Sequence, residues 1–342
     1  MSSDSRRRVR IRDIAVHFPE QVETIDDLHR EHPTWDVGRV AARSGVLSRH
    51  VARPGETALD LALQACAKLF DRNPGLKETV DGILFCTQTG DYVMPPNACV
   101  LHRELALADG VFAFDTNLAC SGYVYSLALA QGLILAGTCK EILLVTADTY
   151  SKLIHPGDRS ARTLFGDGAA VSWVSASKDA VGIVDLLCET SGSGFENFYV
   201  PAGGFRNPRT SQTARETRNA SGNVLTDEHI HMSGLGVLAF VKSKIPSQVQ
   251  RLLARNNFTT DDIDLFVFHQ ASKVALDSLT RALKLEPERV FDNLAHVGNT
   301  VSASIPISLA EAMATGRMRP GAKVVLCGFG VGLSWASALL QA

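Results

Sequence analysis

The chain has no run of about 18 consecutive apolar residues, so nothing in it proposes a membrane-spanning helix. It also has no excess charge of either sign. With Lys+Arg 34 against Asp+Glu 36 there is no global basic field to gather nucleic acid. Cysteines are few and scattered at Cys66, Cys86, Cys99, Cys120, Cys139, Cys188 and Cys327. That odd number, without ligand spacing, excludes a disulfide framework and a zinc site, and no metal or cofactor is expected. The basic start "MSSDSRRRVRIRDI" has no apolar segment behind it, so it is not read as a secretory leader and the expected location is the cytoplasm. What is present is core-forming material. At 342 residues, 45% hydrophobic and 20% charged, the chain can bury a large core and has the length of about two domain-sized units.

Two halves of the sequence echo each other at an offset of roughly 180 residues. "VDGILFCTQT" resembles "DIDLFVFHQA", and each precedes a helix-like segment, "PNACVLHRELAL" and "KVALDSLTRALKL". "FDTNLACSGYVYSLALAQGLILAG" resembles "FDNLAHVGNTVSASIPISLAEAMATG", and "CKEILLVTADT" resembles "GAKVVLCGFGVG". Each half therefore reads strand, helix, strand, helix, strand, with short strands that look buried on both faces. The implied fold class is α/β with an internal duplication, and its boundary falls near the polar run Val174 to Val181, after the hairpin-like "LFGDGAAV". One long polar insert, "PAGGFRNPRTSQTARETRNASGNVLTDE", carries no periodicity and reads as a loop.

In a duplicated sheet the strand ends gather at a crevice, the usual place for a ligand. Cys120 would open a long apolar helix there, where the helix dipole favours thiolate, among the small residues Ala119, Ser121 and Gly122. The matching junction of the second half carries Asn299 in "HVGNT", and the preceding strand ends at His269 in "HQAS". Each of the three alone fits an ordinary core residue. Together, at corresponding strand ends, they form a constellation for covalent acyl chemistry. The glycines of "CGFGVGLSW" could aim backbone N–H groups into the same crevice as an oxyanion hole.

The stretches "NLACSGYVYSLALA", "HPGDRSARTLFGDGAA", "HQAS", "HVGNTVSASIPISLAEA" and "GRMRPGAKVVLCGFGVGLSWASALL" resemble the β-ketoacyl-acyl carrier protein synthase III family of thiolase-fold condensing enzymes, over nearly the whole chain. The resemblance implies a five-layer αβαβα thiolase-like fold with two mixed sheets. Residues 1–176 would form the half carrying the nucleophile, and residues 177–342 the half carrying His and Asn. It implies a catalytic triad of Cys120, His269 and Asn299, with oxyanion donors from the backbone of Cys120, Val331 and Gly332. An acyl group from acyl-CoA would load onto Cys120, and a malonyl-thioester on acyl carrier protein or CoA would then lose carbon dioxide and condense with it. Arg159 matches the arginine that flanks the CoA adenine, and Trp35 is the candidate stacking partner. Ser272 and Gly234 complete the expected substrate contacts. Met94 stands where the family often has a phenylalanine reaching across a homodimer. The sequence departs from the family at Val331, within what is usually a run of glycines, and at Val274, where the family carries an arginine that docks the carrier protein.

Other readings fare less well. "GFGVG" lies too near the C-terminus to open a dinucleotide fold. A thiolase would need a second catalytic cysteine, and Cys327 is one residue out of register with the glycine run, which on a strand means the opposite face. A hydroxymethylglutaryl-CoA synthase would need a glutamate where the loop "TQTGDYVMPPNA" offers only Asp91. An acyltransferase of the same fold, passing the acyl group to an alcohol or amine without condensation, remains the alternative.

Overall fold

The computed structural model describes residues 8–342; the first seven residues, which begin the segment read as no secretory leader, lie outside the described residues. Five strands, β1 (Arg8–His17), β2 (Gly82–Cys86), β3 (Phe112–Thr116), β4 (Glu141–Asp148) and β5 (Gly168–Ser177), form the first sheet in the order β1-β5-β4-β2-β3. β2 runs parallel to β3 and β4, whereas β5 is antiparallel to both its neighbours. A second sheet has the order β7-β8-β9-β6, built from β6 (Gly182–Thr190), β7 (Leu265–Phe268), β8 (Lys323–Gly330) and β9 (Ser334–Gln341). Its β7–β8 pair is parallel and the others are antiparallel. Both sheets are mixed, as expected.

The layering follows from alternation along strands that are buried on both faces. In the first sheet Ile83, Phe85, Leu143 and Val145 pack outward with the helix α1 (Ala58–Arg72), while Leu84, Ile142 and Leu144 face the middle of the molecule. In the second sheet Val324 and Leu326 face the middle, and Val325 and Cys327 face outward. Two helices fill the middle layer, α3 (Gly122–Leu135) and α6 (Ser304–Ala314), between sheets contributed by different parts of the chain. α3 lacks a polar stripe because both of its long sides meet sheet. α2 (Asn97–Glu104) joins α1 on one outer face; α4 (Gly234–Arg255) and α5 (Lys273–Ala282) cover the other. The result is the five-layer αβαβα arrangement. Among the described residues no helix is long and apolar enough to cross a membrane.

Three local expectations change. The second-half counterpart of β3 shrinks to a single bridge, Phe266 with Val290. A 3-10 turn at Pro287–Arg289 precedes it, and Asp292, whose carboxylate accepts the Leu294 N–H at 3.0 Å, turns the chain immediately after it. "LFGDGAAV" is not a hairpin, because Phe165 instead bridges Asn299 in parallel and fastens that loop to the second half. The long insert is not plain loop: Thr217–Arg218 pairs with Val224–Leu225, while His231–Met232, just beyond it, pairs with Phe198–Tyr199.

Candidate active site

Cys120 sits at the start of α3, two residues before its first helical residue, and the adjoining Ser121 makes no side-chain cap. The orphan donors of a helix start are therefore not consumed by a capping hydroxyl. The wall opposite is β8. A Cβ added to Gly328 would fall 2.4 Å from the Cys120 carbonyl oxygen, and one added to Gly330 would fall 2.8 Å from Cys120 Sγ. The glycine run is thus required for close approach, and alternation leaves Cys327 on the opposite face, in the outer core. The N–H groups of Cys120 itself and of Val331 are the two backbone donors that act on the sulfur. Val331 achieves this without a left-handed backbone, so valine replaces glycine there at no conformational cost.

The protonation state differs from the expectation set by the helix start. Cys120 is 3% exposed. Its burial, followed by the nearby Asp148 carboxylate, pushes the thiol up to about 12, against the pull of the Cys120 and Val331 N–H groups. With its pKa raised in this way, the Cys120 side chain, the candidate nucleophile, rests as a neutral thiol. Formation of Cys120 adducts with iodoacetamide, read by peptide mass, should therefore rise about tenfold per pH unit from about pH 6 to about pH 9, as thiolate fraction does below a raised pKa. A plateau beginning below about pH 8 would mean that the helix start outweighs burial.

His269 follows the last residue of β7, and its N–H donates to the Cys327 carbonyl of β8 at 2.8 Å. Its ring meets Phe329 edge-on, with centroids 5.6 Å apart. Nδ1 is buried without a partner, and burial pushes the imidazole down to about 3, so the ring is neutral and keeps one N–H to donate. Gln270 locks the strand end by donating to the Phe268 and Phe291 carbonyls at 2.9 and 3.2 Å.

Asn299 is held through its backbone, which donates to Leu164 O at 2.9 Å and accepts from Gly166 N at 3.0 Å. Its Oδ1 accepts the Val301 N–H at 3.0 Å, and its Nδ2 donates to Ala271 O at 3.4 Å, two residues beyond His269. The end of β8 therefore gathers Cys120 and His269, and the Ala271 carbonyl brings in Asn299.

The substrate-contact candidates are more dispersed. Arg159 is half-buried, donates from Nη2 to Ser221 O of the insert at 3.4 Å, and keeps a buried Nε without a partner. Trp35 stacks on His32 with centroids 3.8 Å apart, and Arg162 donates to His32 Nε2 at 3.1 Å, so one indole face is already covered. Ser272 caps α5 by accepting the Ala275 N–H at 3.3 Å. Gly234 opens α4 facing open space. Met94 is 78% exposed, beside exposed Tyr92 and Val93. Asp91 accepts from Asn97 Nδ2 at 3.1 Å and Leu59 N at 3.3 Å, as a loop staple. A cavity of about 370 Å³ lined by Glu23, Glu31, Arg49, Lys152 and Arg162 adjoins the Asn299 loop through Phe165, which bridges Asn299.

Sequence reading missed Asp148. It lies buried beneath Cys120, and burial pushes its carboxyl up to about 6 although Ser302, Gln88 and Thr87 donate to it. Nothing in "LLVTADTYS" separates it from an ordinary strand-end aspartate.

Two mixed sheets around a shared helical layer, with a buried thiol at the head of one central helix, define a thiolase-fold enzyme of the acyl-condensing type. A family model described as 3-oxoacyl-[acyl-carrier-protein] synthase III matches residues 114–192, and the model of its C-terminal part matches residues 253–342. The β-ketoacyl-[acyl-carrier-protein] synthase III of Nitratidesulfovibrio vulgaris strain Hildenborough is 36% identical over 338 residues, 97% of this chain and 98% of that one. A 3-oxoacyl-(acyl-carrier-protein) synthase III crystal structure at 2.1 Å superposes with a TM-score of 0.95 at 43% identity, covering 98% of this chain and 100% of its own. The corresponding Pseudomonas aeruginosa PAO1 enzyme gives 0.86 at 34% identity, covering 98% of each. The chain belongs to the β-ketoacyl-[acyl-carrier-protein] synthase III family.

Proposed function

We propose that this enzyme takes an acyl group from acyl-CoA onto Cys120 and condenses it with a malonyl-thioester, releasing carbon dioxide and a 3-oxoacyl-thioester. The observation that carries this reading is the Cys120 sulfur at the head of α3, closed against the glycines of β8 at the strand end that also holds His269. In the first half-reaction the thiol attacks the thioester, the carbonyl oxygen gains negative charge toward the Cys120 and Val331 N–H groups, and the proton leaves with the CoA sulfur as CoA thiol. In the second, the malonyl carboxylate departs as carbon dioxide and its electron pair becomes an enolate. The neutral His269 ring and the Asn299 amide donate to the enolate oxygen. The enolate carbon attacks the acyl carbon, and collapse expels the Cys120 thiolate, which takes up one proton. Gly332, next to Val331, completes the donor loop. Arg159, with Trp35, Ser272 and Gly234, is assigned to the approach of the acyl donor.

We assign the two catalytic halves to residues 1–176 and 177–342, because β5 ends at Ser177 in one sheet and β6 begins at Gly182 in the other. A homodimer is proposed because β3 is an edge strand with exposed Phe112 and because Met94 needs a surface to enter. Sedimentation as a stable monomer at micromolar concentration would contradict that. The malonyl donor is assigned to acyl carrier protein from the family; malonyl-CoA is the rival, because Val274 leaves only Lys273, already paired with Asp277 at 3.1 Å, as the nearby cation.

The direct test is intact-protein mass spectrometry after incubation with a panel of acyl-CoAs, run beside release of labelled carbon dioxide from malonyl-thioesters. Loading with a defined acyl mass and subsequent carbon dioxide release is expected. Loading without any decarboxylation would turn the assignment to an acyltransferase acting on an alcohol or amine.

A further inference from the structure

Asp148 ends β4 and is 1% exposed. Its Oδ1 accepts the Gln88 N–H at 2.8 Å, the Thr87 hydroxyl at 3.2 Å and the Thr89 hydroxyl at 3.4 Å, all from the loop that follows β2. Its Oδ2 accepts the hydroxyl of Ser302 and, at 3.4 Å, the Ser302 N–H. One buried carboxylate therefore ties together two strand ends of the first sheet and a loop from the other end of the chain. All five donors are neutral, and burying a carboxylate without a cation is costly, so an interaction of this kind calls for a reason beyond stability.

The loop it grips supplies that reason. Between Asn299 and Ser302 stands Val301 at φ +54°, a left-handed backbone that a β-branched residue adopts only when its surroundings force it. That turn points the Val301 N–H at Asn299 Oδ1, which fixes the amide's oxygen on the loop and turns its Nδ2 toward the His269 side of the crevice. Free of its anchor, Val301 would relax to negative φ, and the Asn299 amide would lose the contact that orients it.

We propose that Asp148 is a positioning residue whose carboxylate, clamped on Ser302, holds the strained Val301 turn and so aims the Asn299 amide at the thioester carbonyl of the malonyl donor. This rests on the assignment of Asn299 as an enolate donor. Since Asn299 serves only the decarboxylating half-reaction, the Ser302 side of the clamp is coupled to that half alone, whereas the Asp148 charge also acts on the Cys120 thiol.

The test uses Ser302→Ala, which removes one oxygen, and Asp148→Asn, which keeps the shape and exchanges an acceptor for a donor, with thermal melts as the folding control. Acyl loading of Cys120 should stay within about threefold of wild type in Ser302→Ala and should not fall in Asp148→Asn, which also removes a carboxylate that holds the Cys120 thiol up, while release of labelled carbon dioxide falls roughly 10- to 100-fold in both, less than the full loss of an oxyanion donor. kcat should fall with little change in KM for the malonyl-thioester, the signature of an interaction made in the transition state. In an Asn299→Ala background, Ser302→Ala should produce no further loss of decarboxylation, because the residue it acts through is gone. Additive losses, or equal losses of loading and decarboxylation, overturn the proposal and leave Asp148 a structural residue. If Asn299→Ala slows decarboxylation but Ser302→Ala and Asp148→Asn do not, the clamp alone is wrong. If Asn299→Ala decarboxylates at the wild-type rate, the assignment of Asn299 fails and takes the clamp with it. Ser302→Ala carries the test by itself should Asp148→Asn not fold.

Discussion

Cys120→Ala leaves a folded protein that takes up no acyl group. The substitution removes a single sulfur that lies close against Gly330, so it leaves only a small void and forces no repacking. No other thiol inherits the role. Cys327 is fully buried on the far side of β8, where burial pushes it up to about 12, and Cys86 lies under Gly122 with its Sγ donating to Leu118 O. The exposed thiols Cys99 and Cys188 have neither the two backbone donors nor the neighbouring imidazole. The expected result is an intact mass identical with and without acyl-CoA, an unchanged melting profile, and carbon dioxide release at background. An adduct that persists on the variant, or moves to Cys327, overturns the nucleophile assignment.

The candidate triad was legible because the chain repeats itself. Aligning "DLFVFHQA" with "DGILFCTQT" puts His269 at a strand end, and aligning "HVGNT" with "LACSG" puts Asn299 at a strand-to-helix junction; the two sheets then fold those ends onto one crevice. The layers were legible too, from alternation that buries both faces of β2, β4 and β8. Properties set by distant neighbours were not. The Cys120 pKa follows from desolvation in the assembled middle of the molecule, which local position at a helix start does not report. The partner of Asp148 is 154 residues away, and the left-handed φ of Val301 has no signature in "GNTVSAS". The missing second-half strand reflects competition between the repeat and local turn chemistry at Asp292, which the turn won.

His269→Ala and Asn299→Ala should separate the two half-reactions. In the resting enzyme a thiol held up at about 12 has little tendency to pass its proton to an imidazole held down at about 3, so His269 is not poised as the base for Cys120. Acyl transfer from CoA instead uses the two backbone donors and returns the proton to the departing sulfur, and neither substitution touches those donors. Loading should persist in both variants. Decarboxylation develops charge on one thioester oxygen, and each variant removes one of the two side-chain donors that meet it. Loss of one such donor costs about 100- to 1000-fold in rate, and carbon dioxide release should fall by that order in each. Two structural costs must be measured beside the rates: His269→Ala opens space against Phe329, and Asn299→Ala frees the Val301 N–H. Thermal melts bound both, and the acyl-enzyme formed at full stoichiometry shows that the crevice survives. If loading collapses together with decarboxylation in His269→Ala but not in Asn299→Ala, the imidazole takes the thiol proton when substrate enters, and the division of labour between backbone and side chains must be redrawn.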